Sequence, residues 1–320
     1  MNSTTRSLLA TATASLALLG GFARLASAQD TPAPAADPVA AAPRPRMQMP
    51  EPANPKLPSL ILIGDSTVRN GRDDGQGKGD EGQWGWGHEI AKYFDPAKIN
   101  VVNRAVGGLS SRTYLTGGHW ERALALVNPG DVVLMQFGHN DGGAVNDTSR
   151  ARASLKGIGE ETEEIDNLLT KKHEVVHTFG WYLRKFIADA KAKGATPIVC
   201  SLIPRKSWDA TGKVSRNKDS FAGWAEQVAA AEKVGFIDLN EWVAAKYDAL
   251  GQDAVMKLFP SVTPDEHTHT NLAGADLNAR FVVAGLKALK QNPVAGDFSE
   301  KAKDVTLAAL APPAAASTKP

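Results

Sequence analysis

The chain has 320 residues, 42% hydrophobic and 22% charged, a composition that excludes disorder of the whole chain and suffices for one large α/β core. With 36 basic and 35 acidic residues the net charge is +1, so no overall field draws it onto nucleic acid or an anionic membrane. A neutral or locally recognised substrate fits that balance.

The first 28 residues carry Arg6, an apolar stretch over 8–19, and the small triplet Ala26-Ser27-Ala28 before Gln29. This is the layout of a secretory signal peptide cleaved after Ala28, and its apolar stretch is shorter than the roughly 20 residues that span a bilayer. Residues 29–56 are rich in Pro and Ala without apolar periodicity, which predicts a semi-rigid, extended linker. Residues 301–320 share that character and are expected to form a disordered tail, leaving one folded domain over 57–300. No later segment is long and apolar enough to cross a membrane, so the mature chain is expected to be a soluble monomer, secreted or periplasmic.

Inside the domain, short apolar runs alternate with amphipathic stretches, the pattern of a parallel sheet covered by helices. Strands are expected over 60–63, 99–103, 132–136, 198–202 and 236–239. Helices are expected over 87–94, 120–127, 174–193, 220–233, 239–250 and 272–289. Five strands with right-handed crossovers give a three-layer α/β/α domain. The one cysteine, Cys200, lies in the run 196–203 that reads as a buried strand, where it serves as a small hydrophobe.

In such a sheet, ligands bind beyond the carboxyl ends of the strands, and the polar motifs fall there. Gly64-Asp65-Ser66-Thr67 follows the first strand. A serine on a tight turn after a buried strand can expose its hydroxyl as a nucleophile, although Ser and Thr at such places also act as turn formers and caps. After the second strand come Gly107-Gly108, which let backbone N–H groups approach a ligand and stabilise an oxyanion, or else form a plain turn. After the third come Gly138-His139-Asn140-Asp141. The Asn140 amide can donate to a developing negative charge; His139 and Asp141 equally suit loop-fixing hydrogen bonds. Finally Asp265-Glu266-His267-Thr268-His269 precedes the last helix. A histidine that takes the serine proton needs an orienting carboxylate, and both Glu266 and Asp265 are within reach of His269. Alternatively, Asp265, His267 and His269 alternate along an extended segment and could hold a metal.

Together these four segments resemble the SGNH, or GDSL-type, hydrolase superfamily, in which Ser, Gly, Asn and His mark four blocks, here Ser66, Gly108, Asn140 and His269. Gly64-Asp65-Ser66-Thr67, the 138–141 motif, the run 267–275, and the stretches 162–166 and 176–183 look further like the rhamnogalacturonan acetylesterase branch. The resemblance implies a flavodoxin-like α/β/α fold, a Ser-His-Asp triad, no metal and no cofactor, and an oxyanion hole from the N–H groups of Ser66 and Gly108 and the Asn140 side chain. It also implies a secreted serine esterase that removes O-acetyl groups from a plant cell-wall polysaccharide, above all rhamnogalacturonan. An acetylxylan esterase, a lipase or thioesterase, and a carbohydrate-binding protein are the alternatives. The family's acid stands three residues before the histidine as Asp; here that position is Glu266, with Asp265 one place earlier as the alternative acid. Arg112 and His139 are candidates for sugar contact or support of the site, and equally for ordinary loop hydrogen bonding. Trp84, Trp86, Trp120, Trp181 and Trp208 offer faces for sugar rings, or for the core.

Overall fold

The computed structural model describes residues 49–69 and 77–311. The expected signal peptide, the linker up to residue 48 and the tail from residue 312 lie outside the described residues. In chain order the strands are β1 (Ser59–Gly64), β2 (Asn100–Asn103), β3 (Val132–Gln136), β4 (Thr162–Asp166), β5 (His173–His177), β6 (Thr196–Cys200) and β7 (Gly235–Ile237). The helices are α1 (Trp86–Glu89), α2 (Ser111–Thr116), α3 (His119–Leu124), α4 (Phe179–Ala192), α5 (Phe221–Ala231), α6 (Leu239–Leu250), α7 (Gln252–Met256), α8 (Leu272–Ala288) and α9 (Leu307–Leu310).

β1 is apolar without interruption because both of its faces are covered. Side chains alternate along a strand, so Leu60 and Leu62 join one core with residues of α1, α6 and α8, while Ile61 and Ile63 join another with residues of α2 to α5. All four are fully buried, each removal from water contributing about 1.5–3 kcal/mol before the entropy of ordering is subtracted. This is a three-layer α/β/α domain around a five-stranded parallel sheet of order β2-β1-β3-β6-β7. From β1 the chain crosses outward to β2, then returns to the other side of β1 as β3. The reversal opens a crevice at the carboxyl ends of β1 and β3, the place where this topology binds ligands.

Several expected elements differ in extent. The helix expected over 174–193 begins only at α4, where Thr178 caps the first turn by accepting from Trp181 N–H at 3.1 Å. Its expected first turn is β5, because Val175 and Val176 are β-branched and pair with Glu164 and Glu163 of β4 in an antiparallel hairpin. The expected helix over 87–94 is α1 followed by a 3₁₀ turn, Ile90–Tyr93. The packed chain also runs past both expected boundaries. Asn54 N–H donates to Asn100 at 2.9 Å, and Arg104 donates to the Pro50 carbonyl at 2.9 Å. At the other end Ala302, Val305 and Leu310 are buried, so the expected disordered tail holds a 3₁₀ turn, Glu300–Ala302, and α9. Among the described residues no helix is long and apolar enough to cross a membrane.

Candidate active site

Ser66 sits on a turn that its neighbours lock. The Asp65 carbonyl accepts from Val68 and Arg69 N–H, and its Oδ1 accepts from Thr67 N–H and hydroxyl, each at 2.8 Å. Gln136, at the end of β3, donates to Thr67 Oγ1 at 2.6 Å while accepting from the Trp86 indole at 2.9 Å. At Gly64 a Cβ would stand 2.6 Å from the Gln136 carbonyl and 2.7 Å from Val68, which explains glycine at the entry of the turn.

His269 reaches this serine from the far end of the chain. Its Nε2 lies 2.7 Å from Ser66 Oγ, and its Nδ1 lies 2.9 Å from Glu266 Oε2. A carboxylate only accepts, so Nδ1 carries the proton and Nε2 is left with its lone pair toward the hydroxyl. Glu266 Oε1 accepts from Thr268 N–H at 2.7 Å and His269 N–H at 2.9 Å, and Gln83 Nε2 donates to Oε2 at 2.6 Å. Burial pushes the Glu266 carboxyl up, but the hydrogen bonds from the His269 ring and from both backbone groups outweigh it and hold the carboxyl at about 2.

Asp265 is exposed, and its carbonyl rather than its carboxylate faces the His267 ring at 3.3 Å. Between the two candidate acids the geometry therefore sets Glu266 against His269. The alternative ligand set of Asp265, His267 and His269 is not assembled: both His269 nitrogens face protein groups, and no cluster of three metal-ligating side chains occurs among the described residues.

The other two loops are tied to the first and to each other. Val106 N–H donates to the Gly64 carbonyl at 3.0 Å. Gly108 adopts φ +83°, a conformation that a side chain strains. Asn140 Nδ2 donates to the Leu109 carbonyl at 2.9 Å with one of its two hydrogens, which leaves the other for a ligand. Asp141 clamps the loops together, accepting from Ser111 N–H and hydroxyl and from Gly138 N–H. Burial raises its carboxyl to about 7 against the pull of those donors.

Some candidates stand elsewhere than expected. Arg112 is fully enclosed: Nε and Nη2 grip Glu174 at 2.6 and 2.7 Å, and Nη1 donates to the Val145 and Ala153 carbonyls. It fastens the β4–β5 hairpin and cannot touch a sugar. His139 is beside the site, but both ring nitrogens are enclosed without a partner, and burial lowers the ring to about 4, so it is neutral. Trp84, Trp86 and Trp120 are core residues, and Trp181 stacks on His177 with ring centroids 3.7 Å apart. Gln83 had no signal in the sequence, since its partner lies 183 positions away.

The arrangement supplies a serine hydroxyl, a base aimed at it, and a carboxylate that fixes the base: the parts of nucleophilic acyl transfer. Known proteins point the same way. The profile of the GDSL-like lipase/acylhydrolase family matches residues 62–277. A rhamnogalacturonan acetylesterase of Emericella nidulans is 32% identical over 244 residues, covering 75% of this chain and 91% of its own. A probable rhamnogalacturonan acetylesterase of Bacillus subtilis, YesY, is 29% identical over 231 residues, 72% of this chain and 93% of its own. Among solved structures, the crystal structure of the Bacillus subtilis protein YxiM superposes with a TM-score of 0.56 at 26% identity over 72% of this chain, which spans 56% of that protein. The chain belongs to the GDSL-like lipase/acylhydrolase family of carboxylic-ester hydrolases.

Proposed function

We propose that this protein is an exported acetylesterase that removes O-acetyl groups from a pectic polysaccharide, rhamnogalacturonan, through a Ser66–His269–Glu266 triad. The observation that carries the chemistry is the continuous relay from Ser66 Oγ through both ring nitrogens of His269 to Glu266, at 2.7 and 2.9 Å. The names of the relatives supply the substrate, and the layout of residues 1–28 supplies export.

Ser66 attacks the acetyl carbonyl as His269 Nε2 takes its proton. Negative charge builds on the carbonyl oxygen, where the N–H groups of Ser66 and Gly108 and the free Asn140 hydrogen receive it. The His269 imidazolium returns its proton to the departing sugar oxygen, leaving an acetyl-Ser66 intermediate. Water then attacks the acetyl carbon, gives its proton to Nε2, and acetate leaves as Ser66 regains its hydrogen. Glu266 stays ionised throughout, since a carboxyl held at about 2 does not take the proton near neutral pH.

Acetate release from acetylated rhamnogalacturonan, homogalacturonan and xylan tests the reading, with rhamnogalacturonan expected to be the best substrate. Ser66→Ala should lower kcat at least about 10³-fold with the melting temperature nearly unchanged. Release from xylan alone overturns the substrate, and near-normal turnover by folded Ser66→Ala overturns the mechanism. Amino-terminal sequencing of protein from the cell exterior should begin at Gln29.

A further inference from the structure

Two arginines stand beside the centre without an anion of their own. Arg152 donates from Nη1 to the Gly108 carbonyl at 2.6 Å, and Arg205 donates from Nη2 to the His139 carbonyl at 3.3 Å. Each thus grips the backbone of one loop that carries a proposed oxyanion donor, Gly108 in one and Asn140 in the other. Among the described residues neither forms an ion pair, whereas Arg112, Arg184 and Arg216 each hold a carboxylate.

Three carboxylates act on Arg152 from nearby, Asp141, Asp65 and Asp147, and none forms an ion pair with it; Asp147, the one at the surface, spends its Oδ1 on the Ser149 hydroxyl and on the N–H groups of Ser149, Arg150 and Ala151. Asp141 and Asp65 are 1% and 0% exposed, and Asp141 already serves Ser111 and Gly138. Partial burial, and behind it the charge of Arg150, even lower the Arg152 pKa. Arg205 is exposed. Each guanidinium has five N–H donors in a planar fork and spends one on a carbonyl, so most of the fork remains for a ligand, and a carboxylate is its geometric complement.

We infer that Arg152 and Arg205 are specificity-determining residues that receive a carboxylate of the substrate, selecting acetylated chains that carry uronic acids over neutral ones. The inference rests on the polysaccharide acetylesterase reading above and adds to it the residues that sense charge. With a net charge of +1 for the whole chain, such selectivity is local to these two side chains rather than an effect of the overall field.

The test is kinetics on two forms of one substrate: an acetylated rhamnogalacturonan oligosaccharide, and the same oligosaccharide with its carboxylates converted to methyl esters. The unaltered protein should favour the charged form, chiefly through KM, and added salt should narrow the preference. Arg152→Gln and Arg205→Gln should each reduce the charged-to-neutral ratio of kcat/KM by about 10-fold, the scale of one charge-assisted hydrogen bond. Arg152→Lys and Arg205→Lys, which keep the charge and lose the fork, should give intermediate ratios. Equal turnover of the two forms by the unaltered protein overturns the inference and leaves the acetylesterase reading standing. So does an equal loss on both substrates in the variants, which would make the arginines loop fasteners only. Deacetylation of neither form refutes the polysaccharide reading itself.

Discussion

Replacing Glu266 with Gln keeps the shape of the side chain and turns one of its acceptors into a donor. In the native site each carboxylate oxygen accepts twice: Oε1 from Thr268 and His269 N–H, and Oε2 from the His269 ring and Gln83. If the new amide nitrogen takes the Oε2 place, it meets the Nδ1 proton and the Gln83 amide. The ring is then driven to the tautomer with its proton on Nε2, where it cannot accept from Ser66. If it takes the Oε1 place, it meets two backbone N–H groups that cannot rotate away. Either way a buried donor faces donors, and the fixed negative charge that stabilises the imidazolium is gone. The expected result is a fall in kcat of roughly 10²- to 10⁴-fold at neutral pH, about 3–5 kcal/mol of barrier. The assay is initial-rate release of acetate, with circular dichroism to show that the variant is folded. Asp265→Asn should stay within a few-fold of native, since that carboxylate is exposed and faces no ring nitrogen. A Glu266→Gln protein that is folded and loses less than about 10-fold, or an Asp265→Asn protein that loses more than Glu266→Gln, refutes the reasoning.

Arg112→Met should destabilise the protein by about 3–5 kcal/mol, because it strips the guanidinium from a Glu174 carboxylate whose side chain is only 15% exposed; chemical denaturation measures it, and an unchanged midpoint would refute the structural role. Acid stability should also carry a Glu266 component. Its folded carboxyl lies at about 2, below its ordinary 4.5, so its contribution is present above 4.5 and drains away as pH falls from 4.5 toward 2. Melting temperatures from pH 6 to 2 should therefore fall less steeply in that window for Glu266→Gln than for the native chain; parallel curves would contradict the assignment.

The layout of the sheet was legible because its strands are short, uninterrupted apolar runs, and burial on both faces leaves that mark directly in the sequence. The loops at their ends were legible because glycine at 64 and 108 meets a local backbone demand, a close approach in one case and a positive φ in the other. What stayed hidden depended on partners far along the chain. The hairpin strand β5 coincides with the first turn of the helix expected over 174–193, since its two valines suit either element until the pairing with Glu163 and Glu164 is known. From its local sequence Arg112 is open to sugar contact, support of the site or loop hydrogen bonding, and only Glu174, 62 positions later, explains its burial. The tryptophans suffered from the same limit: Trp84, Trp86 and Trp120 lie in polar stretches yet fill the core, each spending its indole N–H on an internal acceptor.

The same long-range ties explain how a histidine outside regular structure can act as a base. His269 lies in a loop before α8, where backbone entropy alone would let the ring wander. The loop is fastened along its length instead. Trp84 N–H donates to the Thr270 carbonyl, the Thr270 hydroxyl donates to the Trp84 carbonyl, and Lys206 N–H donates to the His267 carbonyl. Asn271 caps α8 through Gly274 N–H while its amide holds the Lys257 carbonyl at 2.9 Å. With the loop held and Glu266 already charged, the ring stands 2.7 Å from Ser66, so little reorganisation is left for the acylation step. Gln83 belongs to this scaffold as much as to the site: the segment that carries Trp84 also delivers a donor to Glu266, so one piece of chain holds both the loop and the acid.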